Sequence, residues 1–185
     1  MKQLRISGTH ISLGLLVLLS SILMQQPVNA SPFGQGVFGA DVPFGSLTSL
    51  SIALGGNVTM NLSPSGGNLA GSGSHTLTVT SNDVVGYRLY ASSPSGTTMT
   101  NGSNTIPASG NGSPSALSLD TWGYNTDASS NYVGMLTTPS LIKDATGPYK
   151  NGDNTTVTYG AFTSNIKGAG AYSVNVVYTA VAENY

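Results

Sequence analysis

Period-two alternation of apolar and polar residues, interrupted at short intervals by glycine-rich turns, is what most limits the folds open to this chain. Successive side chains of a strand point to opposite faces, so such alternation builds half-buried β-strands and cannot build the apolar stripe of a helix. The C-terminal third shows it most clearly. TTVTYGAFTSN at 155–165 leads to a Lys-Gly-Ala-Gly turn at 167–170. AYSVNVVYTAVAEN then follows, in which Tyr172, Val174, Val176, Tyr178 and Ala180 share one face. This last segment is long, β-branched and aromatic, and reads as a central strand rather than an edge.

Upstream, Leu50, Ile52 and Leu54 alternate with Ser and Ala, and Val58, Met60 and Leu62 alternate with Asn and Thr. Gly55-Gly56 between the two runs predicts a hairpin. Residues 64–73 read as loop, HTLTVTS as a strand, 82–86 as a turn and YRLYAS as a strand. Residues 92–115 read as a long exposed loop with at most one short strand near Ile106. The strand pattern resumes in ALSLDTWGYNT at 116–126, with another short strand at 132–135 and a loop from there through Asn154. After residue 30 no stretch offers an amphipathic helix. The expected fold is all-β: an antiparallel β-sandwich of about seven or more strands, Greek-key or jelly-roll-like, occupying residues 47–185. A closed barrel is the alternative.

The start of the chain has a different logic. Lys2 and Arg5 precede an apolar run from Ile11 to Met24, and Val28-Asn29-Ala30 places small residues where a signal peptidase reads. The run is about 14 residues, short of the roughly 20 that span a bilayer. Residues 1–30 are therefore expected to be an export signal cleaved before Ser31, giving a secreted, extracellular or cell-surface protein with no membrane segment after cleavage. Residues 31–46 form a Gly/Pro-rich arm or linker studded with Phe33, Phe38 and Phe44. That arm is a candidate for docking on a neighbouring subunit.

Composition narrows the partners. Without Lys2 and Arg5 the remainder carries four basic against seven acidic residues, which provides no basic patch for phosphates and argues against nucleic acid. Charged residues are 7% of the chain, where roughly 25% is ordinary. Ser, Thr, Asn and Gly fill the surface instead, and such surfaces pack readily side by side. There is no cysteine, so packing and sheet hydrogen bonds must hold the fold without disulfides. The same absence removes the lipid-modified cysteine of a lipoprotein.

No catalytic set stands out. A nucleophilic Ser or Thr needs a base, and past residue 30 the one histidine is His75, with no Gly-x-Ser-x-Gly elbow. A glycosidase needs two facing carboxylates, and Asp41, Asp83, Asp127, Asp144, Asp153 and Glu183 fall in predicted turns or near termini, leaving Asp120 alone in a strand. The chain is expected not to be an enzyme and to need no cofactor. Calcium is the one metal with clustered oxygen ligands, at 127–131 and 151–154, and neither cluster has EF-hand spacing. Trp122, Tyr124, Tyr132 and Tyr149 are the candidate ligand-binding residues, because flat rings stack on the apolar faces of sugars. For Trp122 the competing role is the core plug of a sandwich.

VTMNLSP at 58–64, HTLTVTSNDVVGYRLYAS at 75–92, LDTWGYN at 119–125 and TVTYGAFTSNIKGAGAYSVNVVYTA at 156–180 resemble secreted bacterial surface β-sandwiches, pilin- or adhesin-like. More distantly the chain resembles the WxL cell-wall-binding domains, through Ala169-Gly170-Ala171-Tyr172 and Tyr178-Thr179. The Trp-x-Leu of that family is absent, with Trp122-Gly123-Tyr124 present instead. The resemblance implies a cell-surface location and a sandwich fold. The functional expectation is a non-enzymatic structural or adhesion protein, a surface-layer, filament or adhesin-like subunit, that self-associates or contacts a surface polymer or glycan. The alternative is an extracellular carbohydrate- or cell-wall-binding module.

Overall fold

Alternation in the sequence becomes antiparallel pairing in the structure, a computed structural model that describes residues 48–183. The expected export signal and the arm with Phe33, Phe38 and Phe44 lie outside the described residues. All of the described residues fall within one unit of the chain, Asp41–Tyr185. They contain no helix, and thus none long and apolar enough to cross a membrane. Ten strands follow in order: β1 (Ser49–Leu54), β2 (Ser63–Ser65), β3 (Asn68–Asn82), β4 (Gly86–Ser92), β5 (Met99–Asn101), β6 (Asn104–Ile106), β7 (Thr121–Asn125), β8 (Ser140–Thr146), β9 (Asp153–Ser164) and β10 (Val177–Glu183). The fold is all-β, and every strand ladder is antiparallel.

The larger sheet runs β1-β3-β9-β7, with β2 also on β3; the smaller runs β10-β4-β8; β5 and β6 form a separate hairpin. Both larger sheets contribute to one apolar core. Leu77 and Val79 from β3, Val157, Tyr159 and Ala161 from β9, and Trp122 and Tyr124 from β7 meet Tyr87, Leu89 and Ala91 from β4 and Ala145 from β8. Burying each Leu or Val stabilises the fold by about 1.5–3 kcal/mol before the entropy of ordering is counted. Trp122 is fully buried, and its indole N–H donates to the Thr97 carbonyl at 2.9 Å, so this large ring leaves no polar group unsatisfied.

Several expectations from sequence are corrected. Gly55-Gly56 does not close a hairpin: β1 pairs with β3, Ser49 opposite Asn82 and Leu54 opposite Leu77. Residues 55–62 lie outside the strands, and Val58, Met60 and Leu62 pack half-buried on the core. The hairpin forms one turn later, at Ser65-Gly66-Gly67-Asn68, inside the expected loop at 64–73. Gly66 and Gly67 both have positive φ, 55° and 83°, the geometry of a tight two-residue turn that residues with a Cβ resist. The long loop at 92–115 is not wholly exposed, because Met99 and Ile106 pair across β5–β6 and bury into the core.

The expected loop before Asn154 contains β8. Leu89 faces Lys143 and Tyr90 faces Leu141, so Ile142 is an extra residue, a β-bulge that destroys the period-two signal. The bulge puts Lys143 on the opposite face from Leu141, the face it shares with Ala145, and there its ammonium bonds Asp153 of β9 at 2.7 Å. A bulge and an inward lysine are two of the devices that keep an edge strand from pairing with another chain. β10 is not a central strand, since among the described residues β4 is its one ladder partner. The ladder begins at Val177, although Tyr172, Val174 and Val176 keep the half-buried face that the alternation predicts.

Candidate functional site

The outer face of the larger sheet is floored by small residues. Ala70 and Ser72 of β3 oppose Phe162 and Gly160 of β9. Beside them Tyr132 lies across Gly160: a Cβ at position 160 would sit 2.6 Å from the ring Cε1 and 2.8 Å from the phenolic oxygen. Only glycine admits the ring there. The result is an open groove of about 430 Å³, with Tyr132 and Phe162 as its aromatic walls and Ser63, Ser65, Ser72 and Ser130 among its polar lining.

Tyr132 is held by its backbone. Its N–H donates to the Ser115 carbonyl at 2.8 Å, and its own carbonyl accepts from Ser115 N at 3.2 Å and from Asn111 Nδ2 at 3.1 Å. The preceding turn is fixed by Asn125, whose Nδ2 donates to the carbonyls of Ser129 at 2.8 Å and Asn131 at 3.1 Å. Among the described residues, no Asp, Glu, Lys, Arg or His lines the groove.

The four aromatic residues singled out from the sequence are not gathered in one place. Trp122 and Tyr124 are in the core. Tyr149 stands edge-on to Tyr87 at 5.9 Å between centroids, half-buried against the core. Tyr132 alone lines the groove. Phe162 was not singled out, yet its signal is in the sequence: Tyr159 and Ala161 belong to the inner parity of β9, so Phe162 is an aromatic on the outer parity, two residues from a glycine.

A second polar cluster ties the sheets together. His75 of β3 has Nδ1 2.8 Å from the Gly56 carbonyl and Nε2 2.8 Å from the Tyr178 hydroxyl. In the neutral ring Nδ1 must carry the proton that the carbonyl accepts, so Nε2 accepts from Tyr178. Tyr178 of β10 and Tyr159 of β9 also share a short hydrogen bond between their hydroxyls. Burial pushes both phenols up, keeping them neutral hydrogen-bonding groups. Among the described residues no carboxylate is bonded to His75, Tyr159 or Tyr178, and the cluster joins β3, β9 and β10.

The oxygen clusters considered for calcium are occupied by the protein itself. Asp127 accepts from Ser129 N at 3.0 Å, and the Ser129 and Asn131 carbonyls receive the Asn125 amide. Asp153 is bonded by Lys143 and by the Tyr87 hydroxyl at 2.7 Å, and Asn154 Oδ1 accepts from Thr78 at 2.8 Å. Among the described residues no three His, Cys, Asp or Glu side chains converge as metal ligands would.

The outer face of the smaller sheet is the other distinctive surface. Val177, Val181 and Leu141 are 45–49% exposed there. The register sets Thr179, Tyr90 and Leu141 in one row and Val181, Arg88 and Asp144 in the next. Arg88 is paired with Glu183 at 2.8 Å and with Asp144 at 3.4 Å. No family model matches the chain, and no curated protein matches it.

Proposed function

We propose that this is an exported, non-enzymatic cell-surface protein of the structural or adhesion kind, built on a Greek-key-like β-sandwich, and that it associates with copies of itself. The observation that carries this reading is the outer face of the smaller sheet, where Val177, Val181 and Leu141 stand exposed around Tyr90. A two-fold contact requires a self-complementary patch. This one has an apolar centre, with one cation and two anions beside it, so that Arg88 of each copy can meet a carboxylate of the other. The scarcity of charge elsewhere adds little long-range repulsion between copies. The expected export signal supplies the location.

The test is the chain without residues 1–30, studied by light scattering over a range of concentrations and by negative-stain electron microscopy. Concentration-dependent association, with filaments or sheets at the highest concentrations, is the expected result. Val181→Glu replaces an apolar side chain of the patch with a carboxylate across the ladder from Arg88, and should leave monomers whose Tm is within a few degrees of the parent. Monomers of the parent chain at every concentration would end this reading.

A further inference from the structure

The groove on the larger sheet has no part in that self-association, and its chemistry specifies a different partner. We infer that it binds an uncharged, hydroxyl-rich oligosaccharide, gripped between Tyr132 and Phe162. Three observations converge. Among the described residues the lining has no ionisable side chain except the Tyr132 phenol, so an anionic or cationic polymer would meet no counter-charge from them. Ser63, Ser65, Ser72 and Ser130 line the groove at exposed positions, and each hydroxyl can donate to or accept from a sugar hydroxyl. The aromatic walls are rigid: Tyr132 is fixed by three backbone hydrogen bonds and by its seat on Gly160, and Phe162 belongs to a paired strand. A ring already held in place loses little freedom on binding, which is what a weakly polar ligand requires.

The size fits as well. About 430 Å³ lies within the range of roughly 300–1,000 Å³ usual for small-ligand sites. The groove is open to solvent, so the ligand need not be enclosed by it. It recognises the stacking face and the hydroxyl pattern of the sugar, and no charge.

The experiment is titration calorimetry on the full chain with cellohexaose, chitohexaose and mannohexaose. An oligogalacturonate serves as the charged comparison, and a synthetic peptide of residues 31–46 as a non-sugar one. At least one of the uncharged sugars should bind with a Kd of about a millimolar or tighter. Ser72→Asp, at an exposed position, and Phe162→Ala should each weaken that binding by about tenfold or more. Tyr132→Phe, which keeps the ring and its seat, should weaken it less. The Tm of Ser72→Asp reports its folding, so loss of binding with an unchanged Tm places the sugar in the groove.

Binding of none of the three uncharged sugars would overturn the assignment. So would a preference for the galacturonate, binding of the peptide alone, or sugar binding indifferent to Ser72→Asp. Val181→Glu lies on the other sheet and should leave sugar binding intact, so failure of this inference and failure of self-association are read separately.

Discussion

Asp120 shows how much one side chain can organise here. Its backbone is left-handed, with φ 62°, which Asp and Asn tolerate better than most residues. From that turn its carboxylate accepts from Ser164 N at 2.8 Å and Ser164 Oγ at 3.1 Å, and Lys167 approaches at 3.7 Å. The Ser164 amide foremost, with the hydroxyl and the lysine, holds the carboxyl below its ordinary value. A lowered folded pKa means stability that is present above the unfolded value, near 3.9, and lost as pH falls through the folded one. Asp120→Asn keeps the backbone preference and removes the charge. It should cost about 1 kcal/mol at pH 7, a modest figure because the group is partly exposed. In urea unfolding at a series of pH values, the difference from the parent should shrink steadily below about pH 4. A difference independent of pH would assign the effect to something other than charge.

Tyr87 is the buried counterpart. Its hydroxyl donates to Asp153 Oδ2 from a fully buried ring, and burial, with the carboxylate beside it, pushes the phenol well above its ordinary range. Tyr87→Phe leaves the ring packing and removes the donor, which should cost about 1–2 kcal/mol by urea unfolding.

Among the elements, strands with unbroken alternation could be read from the sequence, while their partners could not. The second half of β3, with β4 and β9, appears where Leu77 and Val79, Tyr87 and Leu89, and Val157 and Tyr159 mark one face. β1 is also visible, but pairing is decided by which apolar face needs covering. Gly55 N therefore bonds the Thr76 carbonyl of β3 instead of turning a hairpin. β8 was hidden by its bulge at Ile142 and by a lysine at an inward position. The start of β3, NLAGSGS, was hidden because it is polar and glycine-rich, with Val58 and Leu62 packed close to Gly73 and Gly71. At the candidate site Tyr132 was legible as an aromatic residue. The groove was not, because it depends on a long-range seat on Gly160.

That seat makes a prediction for the element as a whole. Gly160→Ala forces a methyl group into the ring of Tyr132, so the ring must swing away while β9 stays paired to β3 and β7. Amide NMR shifts should move at 115, 132 and their neighbours, with stability reduced by about 1–3 kcal/mol. Unchanged shifts around Tyr132 would contradict the seating.

On the scale of the whole molecule, the ladders join segments far apart in sequence. β9 pairs with both β3 and β7, while β8, which lies between β7 and β9 in the chain, belongs to the other sheet. Chain must be looped before such contacts are gained, so folding should take milliseconds to seconds, as in other β proteins of non-local topology. Stopped-flow refolding measures this directly, and a microsecond phase carrying the full amplitude would be inconsistent with the sheet order.

The placement of the few cations has a consequence for resistance to proteolysis. A trypsin-like protease cuts after Lys or Arg and needs the cut segment freed from its sheet. Arg88 and Lys143 sit within β4 and β8, and Lys167 is tied to Asp120 and to the Thr105 carbonyl. Lys150 is exposed in the turn between β8 and β9. Digestion of the described region should therefore begin at Lys150. The two pieces should remain together, because β9 and β10 from beyond the cut are paired with β3, β7 and β4 from before it. A nicked chain that still holds its shape is the form in which this protein would persist among digestive enzymes.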